Sequence, residues 1–182
     1  MNKSMASKIS TSLIISTYNR SDALELCVKS VLRQSLLPDE IIIADDGSKE
    51  ETGELIHQLA TTSVVPIIHV WHEDLGFRLA TIRNKAIVKA TKEYIIQIDG
   101  DIVLHKDFVK DHVRFAQKGS FVTGSRVLIR EALTKKMLAE KKLRYIYPRQ
   151  RNKKYNQRST LAMAESSATT LSPVGHFLFQ RM

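Results

Sequence analysis

The chain of 182 residues is long enough for one domain with a buried core, and its 43% hydrophobic and 26% charged residues are ordinary for a globular protein. This composition excludes general disorder, and no apolar run reaches the roughly 18 residues that a transmembrane helix needs. Because Cys27 is the only cysteine, an internal disulfide and a cysteine-based zinc cage are excluded. The polar residues 1–8 lack the apolar core of a secretory signal, so we expect a cytoplasmic protein.

The formal net charge of +9 is unevenly distributed along the chain. Residues 1–130 contain 17 Lys and Arg against 16 Asp and Glu, whereas residues 131–182 contain 11 against three. The excess of positive charge therefore belongs to the C-terminal part and does not characterise the front of the chain.

The front of the chain alternates short apolar runs with segments of helical periodicity. The apolar runs predict strands, and the periodic segments predict helices, of which the first has Ser21 and Asp22 as N-cap residues. The predicted strands are 9–16, 40–44, 66–71 and 94–98, and the predicted helices are 21–32, 50–60 and 80–90. This order predicts an α/β fold with a mostly parallel central sheet covered on both faces.

The remaining elements are a predicted helix at 107–117 and predicted strands at 121–123 and 126–129. After Leu133 the character of the sequence changes, because residues 135–158 contain ten basic residues and one acid, interleaved with tyrosines. We interpret this part as a loosely attached basic tail.

Asp99, Gly100 and Asp101 follow the fourth predicted strand directly. Two carboxylates one residue apart at a strand end can face one hard cation, and the glycine between them allows close approach of a ligand. Such a site suits Mg²⁺ or Mn²⁺ that also binds the oxygens of a diphosphate. An isolated Asp-x-Asp is also a common solvated turn, so both interpretations stay open for this motif alone.

Other polar clusters follow the other predicted strands, where ligands bind to parallel sheets. Residues 17–20 offer an aromatic ring, an amide and a guanidinium, and residues 45–48 offer two carboxylates. Arg78 and Arg83 could bind phosphate oxygens through two parallel hydrogen bonds. Each cluster is also compatible with a structural role in a turn or on a helix surface.

Taken in order, five segments resemble the inverting glycosyltransferases of family 2, over roughly residues 12–121. Each segment is ordinary alone, but the ordered set is highly specific. They are Leu13–Arg20, Ser30–Ser35, Glu40–Ser48, Gly76–Ala86 and Tyr94–Asp101. The resemblance implies a GT-A, Rossmann-like domain that binds a nucleotide-sugar in residues 1–130, and a basic segment, 131–182, that belongs to an incomplete acceptor side.

The resemblance also implies a UDP-sugar donor, a divalent cation (Mn²⁺ or Mg²⁺) and a role for each matching residue. Ser16 and Tyr18 would line the uracil site, Arg20 would lie near the nucleotide, and Asp46 would bind the uracil or ribose. Arg83 would approach the base or the diphosphate. Asp99 would reach the ribose or the metal, and Asp101 would bind the metal directly. The segment 76–80 is similar to that of relatives that transfer galactose or N-acetylgalactosamine.

The sequence departs from this family beyond its middle. An inverting transfer needs a general base for the acceptor hydroxyl, and relatives usually supply an Asp or Glu from a later acidic motif. After Asp111 the only acids are Glu131, Glu140 and Glu165, and none lies in such a motif. The catalytic base is therefore unknown, and we expect a C-terminally shortened relative in which nucleotide and metal binding survive while transfer is weak or absent.

Four other functions stay open at this stage. A degenerate relative would bind the nucleotide without turnover. A haloacid dehalogenase-type phosphatase would use Asp99 as its nucleophile, but the acidic motifs expected downstream are missing. The segment 135–158 could bind single-stranded nucleic acid or an anionic membrane surface, and the neutral front of the chain argues against nucleic acid. The expected partners are thus a UDP-sugar, a glycan or lipid-linked acceptor of polysaccharide assembly, and a peripheral membrane contact.

Overall fold

The structure, a computed structural model, describes residues 9–144, 162–165 and 178–181. The helices are α1 (Ser21–Val31), α2 (Glu50–Thr62), α3 (Leu79–Lys89), α4 (Phe108–Phe115) and α5 (Glu131–Glu140). The strands are β1 (Thr11–Thr17), β2 (Glu40–Asp45), β3 (Ile67–Trp71), β4 (Tyr94–Asp99), β5 (Ile102–Leu104), β6 (Ser120–Thr123), β7 (Ser125–Leu128), β8 (Ala162–Glu165) and β9 (Leu178–Arg181). Among the described residues, no helix has both the length and the apolar character needed to cross a membrane.

The central sheet has four parallel strands in the order β3-β2-β1-β4. β1 and β2 lie in the middle and are buried along their whole length, as their continuous apolar runs require when both faces are covered. In register, Ser16 lies beside Ala44 on one side and beside Asp99 on the other. The ends of β1, β2 and β4 therefore meet at one edge, which we call the carboxyl edge.

Each face of the sheet packs against helices. Alternate residues of β1 point to opposite faces, so Leu13 and Ile15 contact α1 and α4 whereas Ile14 contacts α3. On α3, Ile82 and Ala86 are buried against the sheet, and the next positions around the helix are free to face the carboxyl edge. The predicted α/β class with a mostly parallel sheet is confirmed.

The basic C-terminal part begins with a packed helix rather than a loose tail. Met137 of α5 is fully buried in a cluster with Leu26 of α1 and Val103 of β5. Lys141, just after α5, lies 2.9 Å from Glu25 of α1. The expectation of a loosely attached tail after Leu133 is therefore wrong for α5. Residues 145–161 and 166–177, which include most of the predicted membrane-binding segment, lie outside the described residues.

The later strands extend the fold beyond the parallel sheet. β9 lies between β5 and β7, antiparallel to the first and parallel to the second, while β6 pairs with β8. The sequence did not predict β5 or α5. The first helix also begins differently from the prediction: Arg20 is its N-cap residue, and no side chain caps it.

Candidate functional site

The carboxyl edge brings the predicted site residues together through backbone hydrogen bonds. The amide of Gly100 donates to the carbonyl oxygen of Ser16 at 2.7 Å, and the amide of Asp46 donates to that of Thr17 at 3.0 Å. These bonds prolong the pairing of β1 with its two neighbours beyond the last strand residues. Asp46 and the turn at Gly100 therefore flank the end of β1, two strand spacings, or about 9.6 Å, apart.

Arg83 connects two of these strands. Its Nε donates to Ser16 Oγ at 2.9 Å, and its terminal nitrogen donates to Asp99 Oδ1 at 2.6 Å. Ile82 and Ala86 hold α3 on the sheet, so Arg83, between them on the helix, extends over the end of β1. The side chains of Arg83 and Asp99 keep 31% and 39% of their surface exposed, so a ligand can reach both charged groups.

Asp46 is buried and holds the segment that follows β3. This segment, residues 72–78, we call the clasp. His72 Nε2 lies 2.7 Å from Asp46 Oδ1, and the backbone amide of Arg78 donates to Asp46 Oδ2 at 3.0 Å. Because only 4% of Asp46 is exposed, both ends of the clasp are fixed to a carboxylate inside the protein.

The middle of the clasp contacts the turn after β2 and the aromatic ring after β1. Gly47 has a φ of +95°, and a Cβ atom on it would lie 2.6 Å from the Cα of Asp74, so only glycine fits this contact. The Tyr18 hydroxyl donates to Asp74 Oδ2 at 2.8 Å, and the Gly76 amide donates to Asp74 Oδ1 at 3.1 Å. The Tyr18 bond lowers the pKa of Asp74, and the same carboxylate raises the pKa of Tyr18.

Several buried polar atoms at the carboxyl edge and in the clasp have no hydrogen-bond partner among the described residues. They are Thr17 Oγ1, His72 Nδ1 and Arg78 Nε. The Asp46 carboxylate favours the His72 tautomer that carries its proton on Nε2 and donates it to Asp46. In this tautomer Nδ1 is an acceptor, and no donor lies within hydrogen-bonding distance among the described residues. Buried polar atoms without partners are costly in a folded protein, and they are found where a ligand or water completes the bonding.

The pair Asp99 and Asp101 can hold a divalent cation only together with a ligand. Among the described residues, no group of three or more His, Cys, Asp or Glu side chains is arranged to hold a metal ion. Asp99 already accepts a hydrogen bond from Arg83 at one oxygen. A Cβ atom at Gly100 would lie 3.0 Å from the Ser16 carbonyl oxygen, so glycine keeps this turn close to β1. Two carboxylates fit Mg²⁺ or Mn²⁺ that completes its shell with diphosphate oxygens and water.

The structure does not place Arg20 with the other predicted residues. Its Nε donates to Asp22 Oδ1 at 3.0 Å in the first turn of α1, and both side chains are 48% exposed. Asn19, with a φ of 48°, turns the chain away from β1, and its Oδ1 accepts a hydrogen bond from the Lys49 amide. Arg20 would have to release Asp22 to reach a ligand beside Tyr18.

His72 and Asp74 belong to the site although the sequence did not single them out. Both lie in the polar stretch directly after the third predicted strand, which was the available signal. The pairing of His72 with Asp46 depends on β2 and β3 being neighbours in the sheet, and the sequence does not state which strands are adjacent.

Solved structures with a similar fold are GT-A glycosyltransferases. TarS of S. aureus, residues 1–349 in complex with UDP, superposes with a TM-score of 0.53 and 22% identity over 65% of this chain and 36% of that one. The mannosyltransferase PcManGT of Pyrobaculum calidifontis, in complex with GDP-Man and Mn²⁺, gives a TM-score of 0.55 and 20% identity over 73% and 39%. At these identities the likeness establishes the fold.

The sequence comparisons give the family. Residues 12–169 match the profile of glycosyl transferase family 2, and the chain belongs to this family. It is 31% identical over 103 residues to the chondroitin synthase of Escherichia coli, covering 56% of this chain and 15% of that protein. It is 29% identical over 101 residues to the validoxylamine A glucosyltransferase of Streptomyces hygroscopicus subsp. limoneus, covering 54% and 22%. The chain thus spans less than a quarter of the length of these two relatives. Membership of this family excludes the haloacid dehalogenase-type phosphatase that the sequence alone leaves open.

Proposed function

We propose that the carboxyl edge binds the nucleoside diphosphate of a UDP-sugar and that the chain is the donor-binding part of a glycosyltransferase. The observation that supports this most directly is the Arg83 bridge, which places a guanidinium between Ser16 and Asp99 at the end of β1, the strand that the exposed Tyr18 directly follows. A guanidinium is suited to diphosphate oxygens and an aromatic face to a nucleobase, so this edge matches both ends of a nucleotide.

Each predicted residue has a proposed role in this complex. Ser16 and Tyr18 line the uracil site, with Tyr18 stacking on the base. Asp99 contacts the ribose or the metal, and Arg83 turns its free donors towards the base or the diphosphate. Only 4% of Asp46 is exposed, but its oxygens retain lone pairs beyond those that accept from the clasp, and we propose that these contact the base or ribose. Arg20 approaches the nucleotide after leaving Asp22.

A divalent cation is proposed at Asp99 and Asp101, with Asp101 as the direct ligand. When bound, Mn²⁺ or Mg²⁺ would neutralise the negative charge that develops on the departing diphosphate. The residues of this chain would contribute the two carboxylates, the close backbone turn at Gly100 and the Arg83 guanidinium. In the fold neighbours, TarS is bound to UDP and to UDP-GlcNAc, and PcManGT to GDP-Man with Mn²⁺, which supports a nucleotide-sugar and a cation here.

The proposed reaction is displacement at the anomeric carbon by an acceptor hydroxyl, with inversion. The acceptor is a glycan or a lipid-linked glycan of polysaccharide assembly, consistent with the chondroitin synthase relative. The sugar is a hexose or an N-acetylhexosamine, and we assign no general base. Residues 1–130 form the donor-binding domain, and residues 131–182 belong to the acceptor side, where the basic segment 135–158 contacts the inner face of the membrane.

Calorimetric titration with UDP, with and without Mn²⁺, tests this proposal, with GDP as the competing base. We expect UDP to bind about tenfold more tightly with Mn²⁺, because the cation screens the diphosphate beside Asp99 and Asp101. Asp101→Ala should remove this dependence on Mn²⁺ while the circular dichroism spectrum stays the same. Equal affinity for UDP and GDP would contradict the base assignment, and unchanged Mn²⁺ dependence in the variant would contradict the metal site.

A further inference from the structure

We propose that Asp74 is a positioning residue that fixes the ring of Tyr18 in the orientation needed to stack on the nucleobase. This inference rests on the proposed function, since it assigns the way in which the same site recognises a base. Tyr18 is 49% exposed, and its hydroxyl donates to Asp74 Oδ2 at 2.8 Å. The Tyr18 hydroxyl also has a hydrogen bond with the side chain of Asn19, and the bond with Asp74 has the larger effect on the phenol.

Asp74 is itself held from several directions. Its second carboxylate oxygen accepts the Gly76 amide at 3.1 Å, and its backbone packs so closely on Gly47 that no Cβ fits between them. Asp46 anchors the clasp on both sides of Asp74, through His72 and the Arg78 amide. Because the position of Asp74 is fixed by these contacts, its carboxylate can in turn restrict the rotation of the Tyr18 side chain.

An exposed tyrosine without such a bond samples several rotamers, and stacking would have to select one of them. A ring that is fixed before the ligand arrives avoids this entropic cost, so the same stacking contact yields a higher affinity. A phenol with the ordinary tyrosine pKa of about 10 is protonated at neutral pH and can donate, and the carboxylate raises the pKa of Tyr18 further. The bond therefore persists under the conditions in which a nucleotide binds.

The test uses the full chain and measures UDP affinity in the presence of Mn²⁺. Asp74→Ala and Tyr18→Phe both remove the Tyr18–Asp74 bond, one from the acceptor and one from the donor. The second keeps the ring and also removes the hydrogen bond with Asn19. We expect each to weaken UDP binding about fivefold, and the double variant to be no weaker than either single one. Tyr18→Leu, which removes the ring, should weaken binding by about 20-fold or more.

Two controls separate positioning from general damage. Glu73→Ala removes a neighbouring negative charge on the clasp. Among the described residues the Glu73 side chain makes no hydrogen bond or ion pair, and the backbone carbonyl that accepts from Arg78 is kept, so UDP affinity should not change. Inorganic pyrophosphate with Mn²⁺ has no base, so its affinity should be the same in all variants. Asp74→Asn keeps an acceptor oxygen and should recover part of the lost affinity.

A readout without ligand reports the bond itself. The ring-carbon NMR signal of Tyr18, identified by its absence in Tyr18→Phe, should titrate at a lower pH in Asp74→Asn than in the unmodified chain, because the carboxylate that raises the Tyr18 pKa is gone. An unchanged titration would show that the bond is not formed in solution and would overturn the proposal.

The outcomes distinguish failure of the proposed function from failure of the positioning role of Asp74. If the unmodified chain fails to bind UDP, the proposed function falls and the stacking role falls with it. If it binds UDP and Asp74→Ala has no effect, or weakens pyrophosphate equally, the positioning role alone is overturned. A further loss when Asp74→Ala is added to Tyr18→Phe would likewise show that Asp74 acts through something other than the tyrosine.

Discussion

Carboxylates lie at both ends of the parallel strands, at the carboxyl edge and at the opposite end, which we call the amino edge. The carboxylates at the two edges differ in exposure and in hydrogen bonding. At the amino edge, Glu40 is buried and accepts hydrogen bonds from Ser12 Oγ at 2.6 Å and from the amide and hydroxyl of Thr91 at 2.8 and 2.7 Å. At the carboxyl edge, Asp99 is 39% exposed and buried polar atoms nearby have no partner among the described residues. A carboxylate satisfied by its own chain stabilises the fold, whereas an accessible one among unsatisfied neighbours is suited to a ligand.

The largest expected effect comes from the amino edge. Glu40→Ala leaves the Ser12 hydroxyl and the two Thr91 donors without their acceptor, and should cost about 3 kcal/mol of unfolding free energy. Urea denaturation followed by circular dichroism measures this cost, and UDP affinity of the folded variant should stay unchanged. A loss below about 0.5 kcal/mol would mean that water replaces these bonds and that the two edges differ less than the structure indicates.

The matching change at the carboxyl edge should affect binding rather than stability. Arg83→Met keeps an unbranched side chain as far as the position of Nε but removes the guanidinium that bridges Ser16 and Asp99. UDP affinity should fall about 30-fold by calorimetry, because a bidentate cation is lost beside the diphosphate. The unfolding free energy should change by less than about 1 kcal/mol, since the bridge is partly exposed. A large loss of stability would place Arg83 with Glu40 as a structural residue.

A third prediction concerns the dependence of the unfolding free energy on pH, to which the buried His112 contributes. Burial lowers the pKa of His112 from its ordinary 6.5 to about 4. Between these values the unfolded chain binds a proton that the folded chain does not, so stability falls as the pH is lowered through this window. The loss attributable to His112 should be about 2 kcal/mol at pH 5. Urea denaturation at pH 7 and pH 5 should show a smaller difference in His112→Phe than in the unmodified chain.

Glu40 extends the acid sensitivity to lower pH. Burial alone would raise the pKa of Glu40, but the hydrogen bonds from Ser12 and Thr91 outweigh burial and lower it below its ordinary 4.5. Its stabilisation is therefore complete above about pH 4.5 and is lost as the pH falls through its lowered pKa. The two groups act in successive windows, and His112→Phe should leave the lower one intact.

The periodicity of the sequence predicted the central fold because its two middle strands are built around continuous apolar runs. β1 contains Leu13, Ile14 and Ile15 in succession and β2 contains residues 41–44, so their assignment needs no knowledge of neighbours. β5 has three residues and α5 has a weak apolar stripe, with only Met137 fully buried. Such elements form because the folded chain offers them a surface, which a local pattern does not encode.

The candidate site was predictable to the extent that strand ends define it. Ser16 and Asp99 follow from the position of the strands and from the resemblance to family 2. The sequence does not show that Asp46 faces inward, since its orientation depends on His72 and on the clasp returning from β3. Arg20 shows the converse, because its partner Asp22 lies two residues away in the sequence, and the pairing of the two was not predicted.

The smallest expected effect sharpens the comparison at the clasp. Gly47→Ala adds a Cβ atom 2.6 Å from the backbone of Asp74, so the clasp must move away and Tyr18 loses its acceptor. We expect UDP affinity to fall about fivefold, the same loss that we expect when the Tyr18–Asp74 bond is removed directly. The positive φ of Gly47 adds a conformational cost that lowers stability as well.

The control is Gly119→Ala, since Gly119 has a φ of +78° and a Cβ there meets nothing within 4 Å. Both variants should lose stability through their backbone, but only Gly47→Ala should weaken UDP binding. Equal affinities would mean that the clasp adapts to the added methyl group and that its contact with the turn after β2 does not shape the site.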